Sequence, residues 1–300
     1  MIRVAWNEKY AHSLPEGHRF PMEKYDLLPR QLVHEGTLEW ENFFSPGEIS
    51  EEMILRVHDQ EYWNRLKNLE LTRREQRTSG FPHNEDLITR ERSIAQGTID
   101  CTHFAMDCGV ALNIAGGTHH AFTNRAEGFC LLNDQALASR YLLDNKLAKQ
   151  ILIVDLDVHQ GNGTAEIFEN EPRVFTFSMH GEKNYPLKKM ISDRDIELPD
   201  NTSDEHYLSL LRENLNELVE KVNPDFVFYQ CGVDILEGDK LGRMQVSLDG
   251  CKKRDEMVLG KFADLGIPVV CSMGGGYSKE IRKIVEAHAN TFRTARFLFD

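Results

Sequence analysis

Three apolar runs, each ending in a short segment dense in reactive side chains, constrain this chain more than any other feature. Val110–Ile114 leads into Gly116-Gly117-Thr118-His119-His120, Ile151–Asp155 into Leu156-Asp157-Val158-His159, and Ile267–Ser272 into Gly274-Gly275-Gly276-Tyr277. The runs are continuous rather than alternating, which suits strands covered on both faces, as in a parallel sheet. Arg3–Ala5, Arg173–Phe177 and Asp225–Cys231 have the same character. Helical patterns fall between them, at Arg90–Asp107, Asn133–Leu147, Leu248–Leu265 and Ser278–Phe297. The clearest helix begins at Thr202, where Thr202-x-x-Glu205 has the form of a capping box. Leu208, Leu211, Leu215, Leu218, Val219 and Val222 continue it at helical spacing, and Pro224 stops it. This alternation predicts an α/β fold, a three-layer α/β/α sandwich with a mainly parallel central sheet. In such sheets ligands gather outside the carboxyl ends of the strands. The paired imidazoles, the carboxylate–imidazole pair and the glycine–tyrosine turn are therefore expected in one crevice, an inventory that suits metal-assisted hydrolysis.

No repeat, low-complexity tract or Pro/Gly/Ser-rich linker divides the 300 residues, so residues 1–300 read as one domain. The formal charge of −13 argues against nonspecific nucleic-acid binding, which needs clustered cations. No apolar stretch approaches the length of a membrane span, and Met1–Tyr10 is too polar for a signal peptide, so a cytoplasmic location is the default expectation. The six cysteines have neither metal-site nor disulfide-scaffold spacing and read as reduced, mostly buried thiols. Arg73–Asp86 reads as an exposed polar loop suited to a substrate rim, and His12–Tyr25 as an ordered loop.

Asp157-x-His159 puts a carboxylate and an imidazole on the same side of extended backbone. Asp234, in Cys231-Gly232-Val233-Asp234, follows another strand and is the best third ligand. An Asp/His/Asp set suits zinc, and Fe(II) almost as well. A lone Asp-x-His also occurs as a satisfied strand end, so the reading rests on the set. Asp155, between Val154 and Leu156, is expected to be buried, where a carboxylate needs an imidazole or cation as partner. Phe129 fits core packing as well as a binding wall, and His58 reads as structural.

At this point the residues match a family. The segments Gly116 to Asn133 and Asp155 to Gly163, Gly232-x-Asp234 and the turn at Tyr277 resemble the zinc-dependent histone deacetylases, which share the arginase/deacetylase fold. Gln160-Gly161-Asn162-Gly163, Asp234 through Asp239 and Lys253-Arg254-Asp255-Glu256 look most like class IV members. The resemblance implies that Asp157, His159 and Asp234 hold zinc, with His119 and His120 as the tandem pair beside it. It implies that Asp155 orients His119, that Asn162 contacts His120 where many class I members carry aspartate, and that Tyr277 donates a hydrogen bond to the substrate carbonyl. Phe129, with Gly128, would form one wall of an acyl-lysine tunnel, Tyr185 the opposite wall, and Gly275 and Gly276 its inner end. A potassium or sodium ion would sit at Asp155, the carbonyls of Asp157 and His159, and Ser178-Met179.

What the resemblance implies is removal of an acyl group from lysine, in a peptide or protein, with long chains preferred over acetyl in class IV. An acetylpolyamine or other acylated small amine is the rival substrate, and a catalytically silent module holding acylated ligands is the alternative from another class. Nothing in the sequence sets the oligomeric state.

Overall fold

The computed structural model describes residues 1–300. Eight strands, β1 (Arg3–Ala5), β2 (Phe43–Phe44), β3 (Val110–Asn113), β4 (Ile151–Asp155), β5 (Val174–Gly181), β6 (Arg194–Leu198), β7 (Phe226–Gln230) and β8 (Val269–Ser272), form one sheet. Its order is β2-β1-β3-β8-β7-β4-β5-β6, and every neighbouring pair is parallel. Ten helices surround it: α1 (Lys24–His34), α2 (Glu51–Ile54), α3 (Gln60–Lys67), α4 (Arg73–Ser79), α5 (Glu85–Cys108), α6 (Asp134–Asp144), α7 (Asn162–Phe168), α8 (Asp204–Val222), α9 (Leu248–Leu265) and α10 (Ile281–Phe299). Two helical groups, α5-α6-α7 and α1-α10-α9-α8, each pack internally and cover the sheet. Strands β3, β4, β7 and β8 are buried at every position, which is why their sequences read as apolar runs, each closed by one buried polar residue: Asn113, Asp155, Gln230 and Ser272. This is the arginase/deacetylase type of α/β architecture. One contiguous apolar cluster of 81 buried residues runs through it, and no second core separates from the first. No helix is long and apolar enough to cross a membrane. Five of the six cysteines are buried and all six are free.

Three expectations are corrected. Arg73–Asp86 is not a loop: α4 starts at Arg73 behind a capping box in which Thr72 Oγ1 accepts from Glu75 N and Glu75 Oε2 accepts from Thr72 N at 2.8 Å. Gly80, at φ +84°, ends that helix. Thr202 does not cap α8: its hydroxyl donates to Pro199 O at 2.7 Å, and Ser203 takes the cap position without a side-chain bond. Thirdly, α5 begins at Glu85 rather than Arg90, because Asn84 caps it through Leu87 N at 2.8 Å. Two edge strands lay outside the reading. β2 has only two residues, and β6 (Arg-Asp-Ile-Glu-Leu) is half-exposed and polar, so neither leaves an apolar run.

Candidate metal centre and active site

The four central strands β3, β8, β7 and β4 are neighbours, and parallel pairing brings their carboxyl ends to one edge. His119 and His120 follow β3, Gly274–Tyr277 follow β8, Asp234 follows β7, and Asp155 to His159 complete and follow β4. The loops meet in a buried crevice: His119, His120, Asp155, Asp157, His159, Asp234 and Tyr277 are all 8% exposed or less.

Ligand atoms of Asp157, His159 and Asp234 lie within 4.8 Å of one another. His159 Nδ1 is 2.9 Å from Asp157 Oδ1 and 3.1 Å from Asp234 Oδ2. The outer oxygens are fixed by the backbone: Gly275 N donates to Asp157 Oδ2 at 2.8 Å, and Val158 N donates to Asp234 Oδ1 at 2.9 Å. A Cβ on Gly275 would overlap both carboxylates, so only glycine lets this loop approach the cluster. Asp234 Oδ2 is buried without a hydrogen-bond partner: the His159 ring nitrogen beside it is not aligned to donate to it, an arrangement that a bound cation would relieve. The cluster draws positive charge strongly. Burial opposes a charged His159, yet Asp157 and Asp234 raise its pKa to about 10. Burial and the Asp157 charge push Asp234 up to about 7. One nitrogen and two carboxylate donors, one of them orphaned, fit a divalent cation of the zinc type with a position left open.

The tandem histidines are held differently. His119 Nδ1 pairs with Asp155 Oδ2 at 2.7 Å, and His120 Nδ1 with Asn162 Oδ1 at 2.6 Å, while the two rings are 4.1 Å apart. Burial disfavours a charged His119, but Asp155 and Asp157 outweigh it and raise its proton affinity. Burial and the neighbouring His119 and His159 hold His120 well below the ordinary range, and the amide of Asn162 offsets this only in part.

Gly128 and Phe129 both have positive φ, +52° and +69°, and this turn aims the Phe129 ring into the entrance. A Cβ on Gly128 would come within 2.6 Å of His120 Cδ2. The Phe129 and Tyr277 ring centroids are 5.8 Å apart. Tyr185 stands edge-on to His120 at 5.0 Å and is 39% exposed at the mouth. Gly275 and Gly276 carry the chain into Tyr277, whose backbone N donates to Asp239 Oδ2 at 2.6 Å. Ser178 lies opposite Asp155 in the β4–β5 register, with Met179 buried beside it. Ser178 Oγ hydrogen-bonds His180 Nδ1 at 2.9 Å. His58 is structural: Nδ1 donates to Phe122 O at 2.9 Å and Nε2 accepts from Asn133 N at 3.0 Å.

Sequence reasoning missed four residues that support the crevice. Glu127 Oε2 accepts from Tyr185 Oη at 2.6 Å and from Asn162 Nδ2 at 3.4 Å, ending a hydrogen-bonded line that starts at His120. Asp239, inside a segment quoted for the resemblance, also accepts from Leu241 N and Gly242 N and so fixes the turn at Tyr277. Lys24 is fully buried on α1 and donates to Gly274 O at 2.9 Å. Burial lowers it to about 8 although Asp234 and Asp157 oppose the shift. Arg254, also fully buried, reaches from α9 to the carbonyls of Leu156, Cys231 and Gly232 beneath two of the ligand loops. The available signal was a charged residue on an otherwise apolar helix face, visible for Lys24 and Arg254.

Comparison with known proteins identifies the family. The model of the histone deacetylase domain matches residues 18–292. An uncharacterized protein of Picosynechococcus sp. is 42% identical over 296 residues, 99% of either chain. Histone deacetylase 2 of Arabidopsis thaliana is 31% identical over 277 residues, 89% of this chain and 72% of that one. The crystal structure of an HDAC homolog complexed with SAHA aligns with a TM-score of 0.86 at 24% identity, over 99% of this chain and 84% of that one, a likeness of fold. With the family model spanning nearly the whole sequence, the chain belongs to the histone deacetylase family.

Proposed function

We propose that residues 1–300 form one catalytic domain, a metal-dependent amidohydrolase that removes a short acyl group from the ε-amine of lysine. The observation that carries this reading is the division between two adjacent imidazoles, one tied to a carboxylate and the other to an amide, beside a cluster of cation ligands. Amide hydrolysis needs a base that is neutral before attack and an acid afterwards, and this pair supports both states. Asp157, His159 and Asp234 would hold zinc or Fe(II), which when bound supplies Lewis-acid polarisation of the carbonyl and a more acidic water.

The remaining roles belong to the chain. His120 Nδ1–H donating to Asn162 Oδ1 leaves the Nε2 lone pair to take a proton from the attacking water. Burial beside His119 makes the resulting imidazolium unstable, so His120 returns that proton readily to the departing amine nitrogen. His119, paired with Asp155, stays in place as an electrostatic element. The Tyr277 hydroxyl donates to the developing oxyanion, a contribution of about 3–4 kcal/mol for one such donor. Phe129 and Tyr185 line the entrance for an alkyl stem. Asp155 and Ser178-Met179, with the carbonyls of Asp157 and His159, are proposed to hold potassium or sodium, supported by the β4–β5 register. The amide at Asn162 supports a class IV-like subtype, and the six free thiols support a cytoplasmic setting.

The shape of the inner pocket favours acetyl over longer acyl groups. The inner pocket, lined by Asp157, His159 and Tyr277 and bordered by Tyr25, Arg90, Ile94 and Cys130, is narrow, about 30 Å³. The test is a substrate panel for zinc-loaded protein: acetyl-, butyryl- and myristoyl-lysine peptides beside acetylated polyamines. Fastest turnover of acetyl-lysine is expected. Faster turnover of myristoyl-lysine would overturn the acyl-length reading, and exclusive turnover of polyamines would overturn the lysine reading.

A further inference from the structure

We infer that the substrate carries negative charge beside its acylated lysine, and that Arg19, Arg73 and Arg77 recognise it; this rests on the reading of the crevice given under Proposed function. The entrance to the crevice has a volume of about 350 Å³ and is lined by His120, His159 and Tyr277 together with Arg19 and Arg77. Apart from the histidines, those two arginines are its only charged lining residues. A second groove, about 460 Å³, shares Arg19 and Arg77, adds Arg73, and continues outward over Gly80 and Phe81. It too is lined by no carboxylate.

This is unexpected in a chain of 48 acidic and 35 basic residues. Two carboxylates close to the groove in the fold are engaged elsewhere: Glu75, on the same helix as Arg73 and Arg77, pairs with Arg65 at 2.6 Å, and Glu127, beside the Gly128–Phe129 wall, pairs with Arg125 at 2.7 Å and with the Tyr185 hydroxyl. Arg19, Arg73 and Arg77 are exposed and form no ion pair, so their mutual repulsion is relieved only by solvent or by an incoming anion.

The groove is firmly built. The Arg19 guanidinium lies 4.9 Å from the centroid of the Phe129 ring. Phe129 N donates to Ser79 O at 2.7 Å and Gly128 N to Thr78 O at 3.1 Å, which ties the entrance wall to α4. His18 Nε2 hydrogen-bonds Gly80 O at 2.9 Å and brings the Arg19 segment onto the same helix end. Guanidinium groups bind carboxylates through paired N–H donors, and three on one groove suit an extended peptide with Asp or Glu within a few residues of the acyl-lysine. The same rim repels a polyamine.

The test compares three acetyl-lysine peptides of equal length whose flanking residues are Asp/Glu, Gln/Ala or Lys/Arg. Both kcat/KM and binding (fluorescence anisotropy of labelled peptide) are measured with the zinc-loaded full chain, so the order of affinities is read even where turnover is absent. The acidic peptide is expected to bind about tenfold more tightly than the basic one, with the difference in KM and shrinking at high salt. Arg19→Glu with Arg77→Glu should reverse the order, whereas Arg212→Glu on α8 should not. Equal affinities, or a preference for the basic peptide, would overturn the inference. Ordered binding without release of acetate would overturn the hydrolase reading and leave the recognition surface standing.

Discussion

Replacing Arg254 by methionine removes the support beneath two ligand loops at once. Its guanidinium is fully buried, donates to Asp255 Oδ1 through Nε at 2.9 Å, and reaches the carbonyls of Gly232, of Cys231 at 3.2 Å and of Leu156 at 3.4 Å. Leu156 directly precedes Asp157, and Cys231 and Gly232 lead into Asp234. Asp255 would keep its bonds from Tyr229 Oη at 2.5 Å and Thr291 Oγ1 at 2.6 Å but lose its only buried counter-charge. Stranding one partner of a buried ion pair costs about 3–5 kcal/mol, and the two surviving hydrogen bonds favour the lower end. With an unfolding entropy of about 2 cal/mol/K per residue, that corresponds to a fall in Tm of roughly 5–8 °C for a chain of this size. Urea unfolding and calorimetry of the zinc-loaded protein read the loss, and a zinc titration reads weakened binding as the loops relax. Adding Asp255→Asn removes the stranded charge and should recover about half of the loss, a coupling that a double-mutant cycle isolates. A loss below about 1 kcal/mol, or strictly additive single and double variants, would refute the reasoning.

Other outcomes follow from the same structure. Because burial and its imidazole neighbours hold His120 below the ordinary range, it is neutral, and competent as a base, well into mild acid; the acid limb of kcat/KM should therefore lie below the range of an ordinary imidazole. A pH–rate profile with its acid limb above pH 7 would contradict this. His58 is lowered to about 4 by burial, so the unfolded chain binds a proton between pH 6.5 and 4 that the folded chain does not. Stability falls as pH drops through that window, by roughly 3 kcal/mol from this residue, and His58→Gln should flatten the slope in urea unfolding measured at pH 7 and pH 4.5. Glu127→Gln keeps an acceptor for Tyr185 but removes the charge at the end of the line from His120. A loss in kcat of roughly tenfold with little change in KM is expected, and a single-turnover assay should show partial rescue by Asn162→Asp. Chelation should lower Tm by several degrees and zinc should restore it, since two buried carboxylates are left close together without the cation. An unchanged Tm would contradict the ligand set.

The sequence revealed the middle of the fold better than its edges, for a physical reason. β3, β4, β7 and β8 are covered on both faces and so are apolar up to one polar residue at each carboxyl end, while β6 has one open side and reads Arg-Asp-Ile-Glu-Leu. The chemistry of the crevice sits directly after those central strands, which is why the sequence alone brings His119, His120, Asp157, His159, Asp234 and Tyr277 together. α4 was read as a loop because its seven residues include only one buried side chain, leaving the Thr72/Glu75 cap as its sole signature. Glu127, Asp239, Lys24 and Arg254 act across long stretches of chain: Lys24 meets Gly274, and Arg254 meets Leu156. No local spacing encodes such pairings. The arginine groove was hidden twice over, by the net negative charge and by the loop assignment given to α4.

The most direct test of the account is the release of free lysine amine from an acetyl-lysine peptide by zinc-loaded protein, with Tyr277→Phe measured beside it. Tyr277 lines the crevice but lies outside the ligand cluster, so the variant should bind one zinc and keep its Tm. Its kcat should fall about 10²- to 10³-fold through loss of the oxyanion donor. Undiminished turnover in the variant, or no product from wild-type protein carrying stoichiometric zinc, would contradict the central claim.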